Sequence, residues 1–112
     1  MLPIACFVGP SEVGKTTLLE QIAANLKTRG VRVAAIKHAS HGFEIDKPGK
    51  DSWRLAQAGC DIVVISSPRG MALIQKRAEE ASLEELTSLL GRQADIILAE
   101  GYKDSSKAKI EI

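Results

Sequence analysis

The clearest chemistry in the chain lies in eight consecutive residues. Gly9-Pro10-Ser11-Glu12-Val13-Gly14-Lys15-Thr16 satisfies G-x-x-x-x-G-K-[ST] at every fixed position. Glycine at each end lets the backbone curl until several N–H groups face one phosphate. A helix opening directly after the loop aims the positive end of its dipole at the same place. In this arrangement Lys15 reaches the β- and γ-phosphates and the Thr16 hydroxyl ligates Mg²⁺. Thr17 can add a hydroxyl near the α-phosphate, so the phosphate-binding segment runs from Gly9 to Thr17. An apolar run immediately before it and an amphipathic stretch immediately after it are the strand and helix that this chemistry requires.

Mg²⁺ bound at such a loop needs an acidic group as well. Asp95-Ile96-Ile97-Leu98-Ala99-Glu100-Gly101 supplies an apolar strand that ends in a carboxylate and a glycine. Open α/β sheets carry their chemistry at the carboxyl ends of the strands. Glu100 is therefore the candidate second Mg²⁺ residue, while Asp95, at the strand's start, is expected to cap or be solvated.

A further set follows the second apolar run, on a strand expected to neighbour the one that leads into the phosphate loop. His38, His41 and Asp46 could handle a metal, although they fall short of a defined ligand spacing. Lys37, Lys50 and Arg54 share this stretch with Asp46 and Asp51. A mixed-charge loop is commonly solvated surface; beside bound phosphates it reads as a substrate or switch loop. Trp53 is as suited to covering the core as to stacking on a ligand.

Other signals are missing. No N-K-x-D sequence reads guanine, since Lys103-Asp104 lacks the spacing. No arginine stands out as a finger and no glutamine for orienting water. Pro10 follows Gly9 where some dimeric phosphate-loop ATPases carry an extra lysine. The expectation is nucleotide binding with slow hydrolysis, or hydrolysis completed by a partner.

The elements that must position these groups alternate between two periods. Leu2–Val8 is strand-like; from Lys15 onward Leu19, Ile22, Ala23 and Leu26 mark one helical face, which Gly30 closes. Val31–Ile36 is a second strand, Asp51–Ala58 a short helix, and Asp61–Ser66 a third strand. The turn Ser67-Pro68-Arg69-Gly70 folds Met71–Gln75 back antiparallel. Ser82 and Glu85 form a capping box for a helix with Leu83, Leu86 and Leu90 on one face. Asp95–Ala99 and Lys109–Ile112 complete the strands. This order predicts an α/β fold of the P-loop NTPase type, a three-layer sandwich on a mostly parallel sheet with one antiparallel strand. The apolar runs Ile62–Ile65 and Ile96–Ala99 suit strands buried on both faces.

With 112 residues, 45% hydrophobic and 26% charged, the chain is expected to form a single domain. A formal net charge of +1 argues against binding nucleic acid or anionic lipid by bulk charge. No apolar run has the length of a membrane helix, so a cytoplasmic location is expected. Cys6 and Cys60, without CxxC spacing, read as two buried thiols.

The full pattern is Lys37-His38-x-x-His41-x-Phe43-x-x-Asp46-x-Pro48-Gly49-Lys50-Asp51-Ser52-x-Arg54, then Ala58-Gly59, then Glu100-Gly101-Tyr102-Lys103. Together with the phosphate loop, it resembles the molybdopterin-guanine dinucleotide biosynthesis adaptor family, MobB. The similarity runs through nearly the whole chain, with Tyr102 standing where family members usually have Phe. The resemblance implies a GTP-binding protein with weak GTPase activity that assists the guanylyltransferase joining GMP to molybdopterin, and a tendency to dimerise. It implies phosphates on Gly9 to Thr17 and Mg²⁺ on Thr16 and Glu100. The His38–Arg54 block becomes a candidate surface for the partner, pterin or nucleotide, and Gly101 and Lys103 a candidate second site.

Two other readings of the residues stay open. One is a small phosphotransferase whose acceptor lies over His38–Asp51, with Asp46 or Asp51 as base. The other is a metallochaperone-type GTPase using His38 and His41. Family members continue for several more elements beyond the position of Ile112. The expectation is therefore a sheet completed by a dimer mate, or the front part of a longer protein.

Overall fold

A computed structural model describes residues 2–10, 14–39, 42 and 49–111. The chain divides into two compact units, Met1–Ser40 with Ser82–Ile112, and His41–Ala81.

The first unit is built on four parallel strands. They are β1 (Ile4–Val8), β2 (Val33–Lys37), β5 (Ile96–Glu100) and β6 (Ala108–Glu111), in the order β2-β5-β1-β6. The central pair carries the core: Cys6, Phe7 and Val8 of β1 and Ile97, Leu98 and Ala99 of β5 are all buried. Three consecutive buried residues on each strand mean burial on both faces, as the apolar run of β5 suggested. Chain order does not give strand order here, because β5 inserts between β1 and β2. The expectation that the second strand neighbours the phosphate-loop strand is therefore corrected.

Helix α1 (Lys15–Thr28) packs on β2 and β5. Its half-buried positions include Leu19, Ile22, Ala23 and Leu26, the face expected from their spacing. Gly30 N–H bonds the Lys27 carbonyl and Val31 N–H the Leu26 carbonyl, the paired bonds that stop a helix at a left-handed residue. Helix α3 (Leu83–Leu90) opens on the expected capping box: Ser82 Oγ accepts from the Glu85 N–H, and Glu85 Oε1 from the Ser82 N–H. Its buried Leu83 clusters with Cys6 and Ala99.

The second unit holds α2 (Asp51–Ala58) against an antiparallel hairpin of β3 (Ile62–Ser67) and β4 (Gly70–Gln75). The antiparallel strand predicted from the sequence thus pairs within its own two-stranded sheet. Val63 is buried and its partner Ile74 half-buried, whereas Ile62, Val64 and Leu73 on the opposite face are exposed. Of the run Ile62–Ile65 only Val63 is buried, and Ile65 on the same face is exposed, against the expectation of two-sided burial. A second correction concerns the thiols: Cys6 is buried but Cys60 is exposed in the turn after α2.

Among the described residues, no helix is long and apolar enough to cross a membrane.

Candidate functional site

Parallel pairing of β1 with β5 determines which groups meet. The register sets Phe7 opposite Glu100, so the carboxylate leaves β5 level with the last turns of β1 before Gly9. From the other direction, Gly14 caps α1 in the left-handed conformation, with φ 89°. A glycine adopts that angle at little cost, and it swings Lys15 and Thr16 directly into the first helical turn. The two segments converge at one point. Thr16 Oγ1 donates to Glu100 and lies 3.4 Å from both carboxylate oxygens.

This donor set is a hydroxyl and one carboxylate, both hard oxygen ligands. Mg²⁺ characteristically takes one or two such protein ligands and completes its shell with water and phosphate oxygens. Among the described residues, no group of three or more His, Cys, Asp and Glu side chains gathers into a metal cage. The arrangement fits Mg²⁺ held together with a phosphate.

Lys15 turns back onto the loop, its Nζ donating to the Gly9 carbonyl at 2.8 Å. That bond links the two described ends of the loop and leaves the ammonium of the half-buried Lys15 able to exchange a neutral carbonyl for an anionic oxygen. Gly9, Pro10, Gly14, Lys15, Thr16 and Thr17 are all described; Ser11, Glu12 and Val13 lie outside the described residues.

The end of β2 flanks Glu100 on the side away from the loop. Lys37 stands opposite Glu100 in the register, and the next residue, His38, donates its backbone N–H to the Glu100 carbonyl at 3.0 Å. The His38 ring stacks on Tyr102, with centroids 4.6 Å apart and planes inclined by 18°. Sequence reasoning did not find this pair. Two rings on separate strand ends announce nothing until β2 and β5 are known to be neighbours.

Gly101 sits between Glu100 and Tyr102 at φ 110°, where a Cβ would come within 3.0 Å of His38 Cβ. Lys103 is exposed in the turn that follows. His41 and Asp46 lie outside the described residues. Lys50, Asp51 and Arg54 belong to the second unit, at the start of α2, where Lys50 occupies the N-cap and its carbonyl accepts the Arg54 N–H.

Asp95 serves the opposite end of the sheet. It accepts the Arg32 backbone N–H at 2.8 Å and two guanidinium donors at 3.3 and 3.0 Å, tying the start of β5 to the approach to β2. Hydrogen bonding to Arg32 holds its carboxyl below the ordinary aspartate range. Expected to cap or be solvated, Asp95 instead pairs with Arg32.

Comparison with known proteins bears on the whole chain. Residues 4–112 match the family model of MobB, molybdopterin guanine dinucleotide synthesis protein B. The molybdopterin-guanine dinucleotide biosynthesis adapter protein of Escherichia coli is 40% identical over 98% of this chain and 65% of its own length. The Haemophilus influenzae protein of the same name is 37% identical over 97% of this chain and 62% of its own. The chain thus spans a little under two thirds of these relatives. The crystal structure of Bacillus subtilis MobB superposes with a TM-score of 0.82 at 32% identity, covering 99% of this chain and 68% of that one.

Proposed function

The chain belongs to the MobB family, and from that membership we propose that it acts as a GTP-binding adapter in molybdopterin guanine dinucleotide biosynthesis. The observation that carries the nucleotide half of this reading is the convergence of Thr16 and Glu100 at the mouth of the Gly9–Thr17 loop. The adapter half rests on the relatives' names.

Each residue has a defined task in this reading. Lys15 exchanges the Gly9 carbonyl for the β- and γ-phosphate oxygens, a charge-assisted bond replacing a neutral acceptor. The first N–H groups of α1 face the same phosphates with the dipole's positive end. Thr16 and Glu100 hold Mg²⁺, which when bound neutralises phosphate charge. Hydrolysis in this reading is slow, as the family resemblance implies. The bound state is what a partner guanylyltransferase reads. The protein works in the cytoplasm.

The reading includes a homodimer. Its support is the exposed apolar face of the hairpin, where Ile62, Val64 and Leu73 stand 50%, 55% and 49% exposed and Met71 76%. A two-stranded sheet of this kind is marginal unless something covers it. Sedimentation of the chain and of Val64→Glu/Leu73→Glu tests this: a dimer that the pair of charges dissociates is expected, and a monomer in both cases contradicts it.

The experiment for the main reading is capture of the guanylyltransferase by the immobilised protein with Mg²⁺ and GTP, ATP or no nucleotide. Retention that depends on GTP is expected. Retention indifferent to nucleotide contradicts the nucleotide-reading adapter.

A further inference from the structure

We propose that the His38–Tyr102 ring pair is a positioning device for Glu100, fixing the carboxylate against Thr16 for Mg²⁺-dependent nucleotide binding. The proposal rests on the reading of Glu100 as a Mg²⁺ residue and adds to it the side chains that make the carboxylate competent.

The backbone around Glu100 is held from both neighbouring strands. Its carbonyl takes the His38 N–H at 3.0 Å, from the β2 side, and the Gly101 N–H donates to the Phe7 carbonyl at 2.9 Å, on the β1 side. Past this point the chain must leave the sheet. It does so through two positive φ angles in succession, 110° at Gly101 and 62° at Tyr102. A glycine tolerates the first; a tyrosine resists the second and requires contacts elsewhere to hold it there. The contacts that do so are the Ser105 N–H, which donates to the Tyr102 carbonyl at 3.0 Å, and the contacts of the ring. Tyr102 stacks on His38 on one side and packs on the cluster of Cys6, Leu83 and Ala99 on the other. The close approach of Gly101 to His38 Cβ brings the two rings within stacking range.

Removing either ring takes away the side-chain part of what holds Tyr102 at its unfavourable angle and leaves the Ser105 bond to oppose the strain. Relaxation of residue 102 toward negative φ rotates the peptide between 101 and 102, and that rotation is passed to Glu100 one bond set away. The Thr16 contact is sensitive to such a shift, because at 3.4 Å it is already at the long end for a hydroxyl–carboxylate pair. The phosphate-binding residues Gly9 to Lys15 are on a different segment and are spared. The predicted signature is therefore specific. Affinity for nucleotide without Mg²⁺ persists, and the gain on adding Mg²⁺ shrinks.

The test is titration calorimetry of GTP in Mg²⁺ and in EDTA for Tyr102→Ala, Tyr102→Phe, His38→Ala, His38→Phe and Glu100→Gln. Tyr102→Ala and His38→Ala are expected to cut the Mg²⁺-dependent gain by about 3- to 10-fold, the range that loss of an aromatic pair supports. Affinity in EDTA stays within about twofold of the parent, and Tyr102→Phe and His38→Phe, which keep a ring, retain the gain. Should an alanine variant unfold, Tyr102→Leu takes its place. An unchanged gain in the alanine variants, or an equal loss in Mg²⁺ and EDTA, overturns the proposal. Glu100→Gln separates the two levels. If it abolishes the gain while the ring variants keep it, only the positioning role falls; if it keeps the gain, the Mg²⁺ role of Glu100 falls first.

Discussion

Gly101→Ala is the substitution whose cost the structure defines most closely. Two effects add. At φ 110° an alanine is strained whatever space surrounds it, at about 1–3 kcal/mol. Its Cβ would also meet His38 Cβ at 3.0 Å, where carbon atoms pack comfortably at about 3.5–4.0 Å. His38 Cβ is not the tip of a flexible side chain; it is fixed to backbone that bonds the Glu100 carbonyl. Relief therefore demands that the end of β2 or the turn after β5 move by about half an ångström, which overpacked sites accomplish at about 1–3 kcal/mol. The sum is roughly 2–6 kcal/mol, and at about 4 °C per kcal/mol the midpoint should fall by roughly 8–24 °C. Gly30→Ala is the matched control, since Gly30 has φ 78° and nothing within 4 Å of the added Cβ. Only backbone strain applies there, about 1–2 kcal/mol. Thermal unfolding followed by circular dichroism compares them. Equal losses at both positions would refute the close approach between Gly101 and His38.

Three further outcomes follow from the same geometry. Ser82→Ala removes the side-chain acceptor of the α3 capping box and should cost about 1 kcal/mol in urea unfolding without changing nucleotide affinity. Because Arg32 lowers the Asp95 carboxyl in the folded state, its contribution is present above the unfolded value of about 3.9 and lost as pH falls through the lower folded one. Asp95→Asn should therefore be less stable than the parent at neutral pH, with the gap closing below about pH 4; a gap that persists into strong acid contradicts the assignment. Of the two thiols, Cys60 should react with a disulfide reagent at once and Cys6 only at the rate of unfolding, so two fast thiols would contradict burial of the β1 core.

How much of this was legible beforehand depended on whether a signal was local. The α1 face through Leu19 and Leu26, the Ser82 capping box and the antiparallel return of Met71–Gln75 beside the third strand all depend on residues close in the chain. Each is present, with strand ends shifted by one or two residues. Glu100 was singled out by a rule about strand ends, and the Phe7–Glu100 register shows why it meets Thr16. Non-local pairing was opaque. Nothing in Val31–Ile36 says that β5 will lie between it and β1, and so nothing announced that His38 would reach Tyr102 rather than the phosphate loop. The run Ile62–Ile65 misled for a related reason: a continuous apolar stretch looks the same whether one face of its strand or both are covered. Cys60 had apolar neighbours in sequence, but it falls in the turn after a helix, where burial does not follow from them.

The central claim is that the Gly9–Thr17 loop binds nucleotide phosphates, and Lys15 is its most direct probe. Calorimetric titration of the parent and of Lys15→Ala with GTP in Mg²⁺ measures it. Charge-assisted bonds of about 1.5–3 kcal/mol predict a loss of roughly 10- to 150-fold in affinity. A Lys15→Ala protein that remains folded and binds GTP as tightly as the parent would contradict the account.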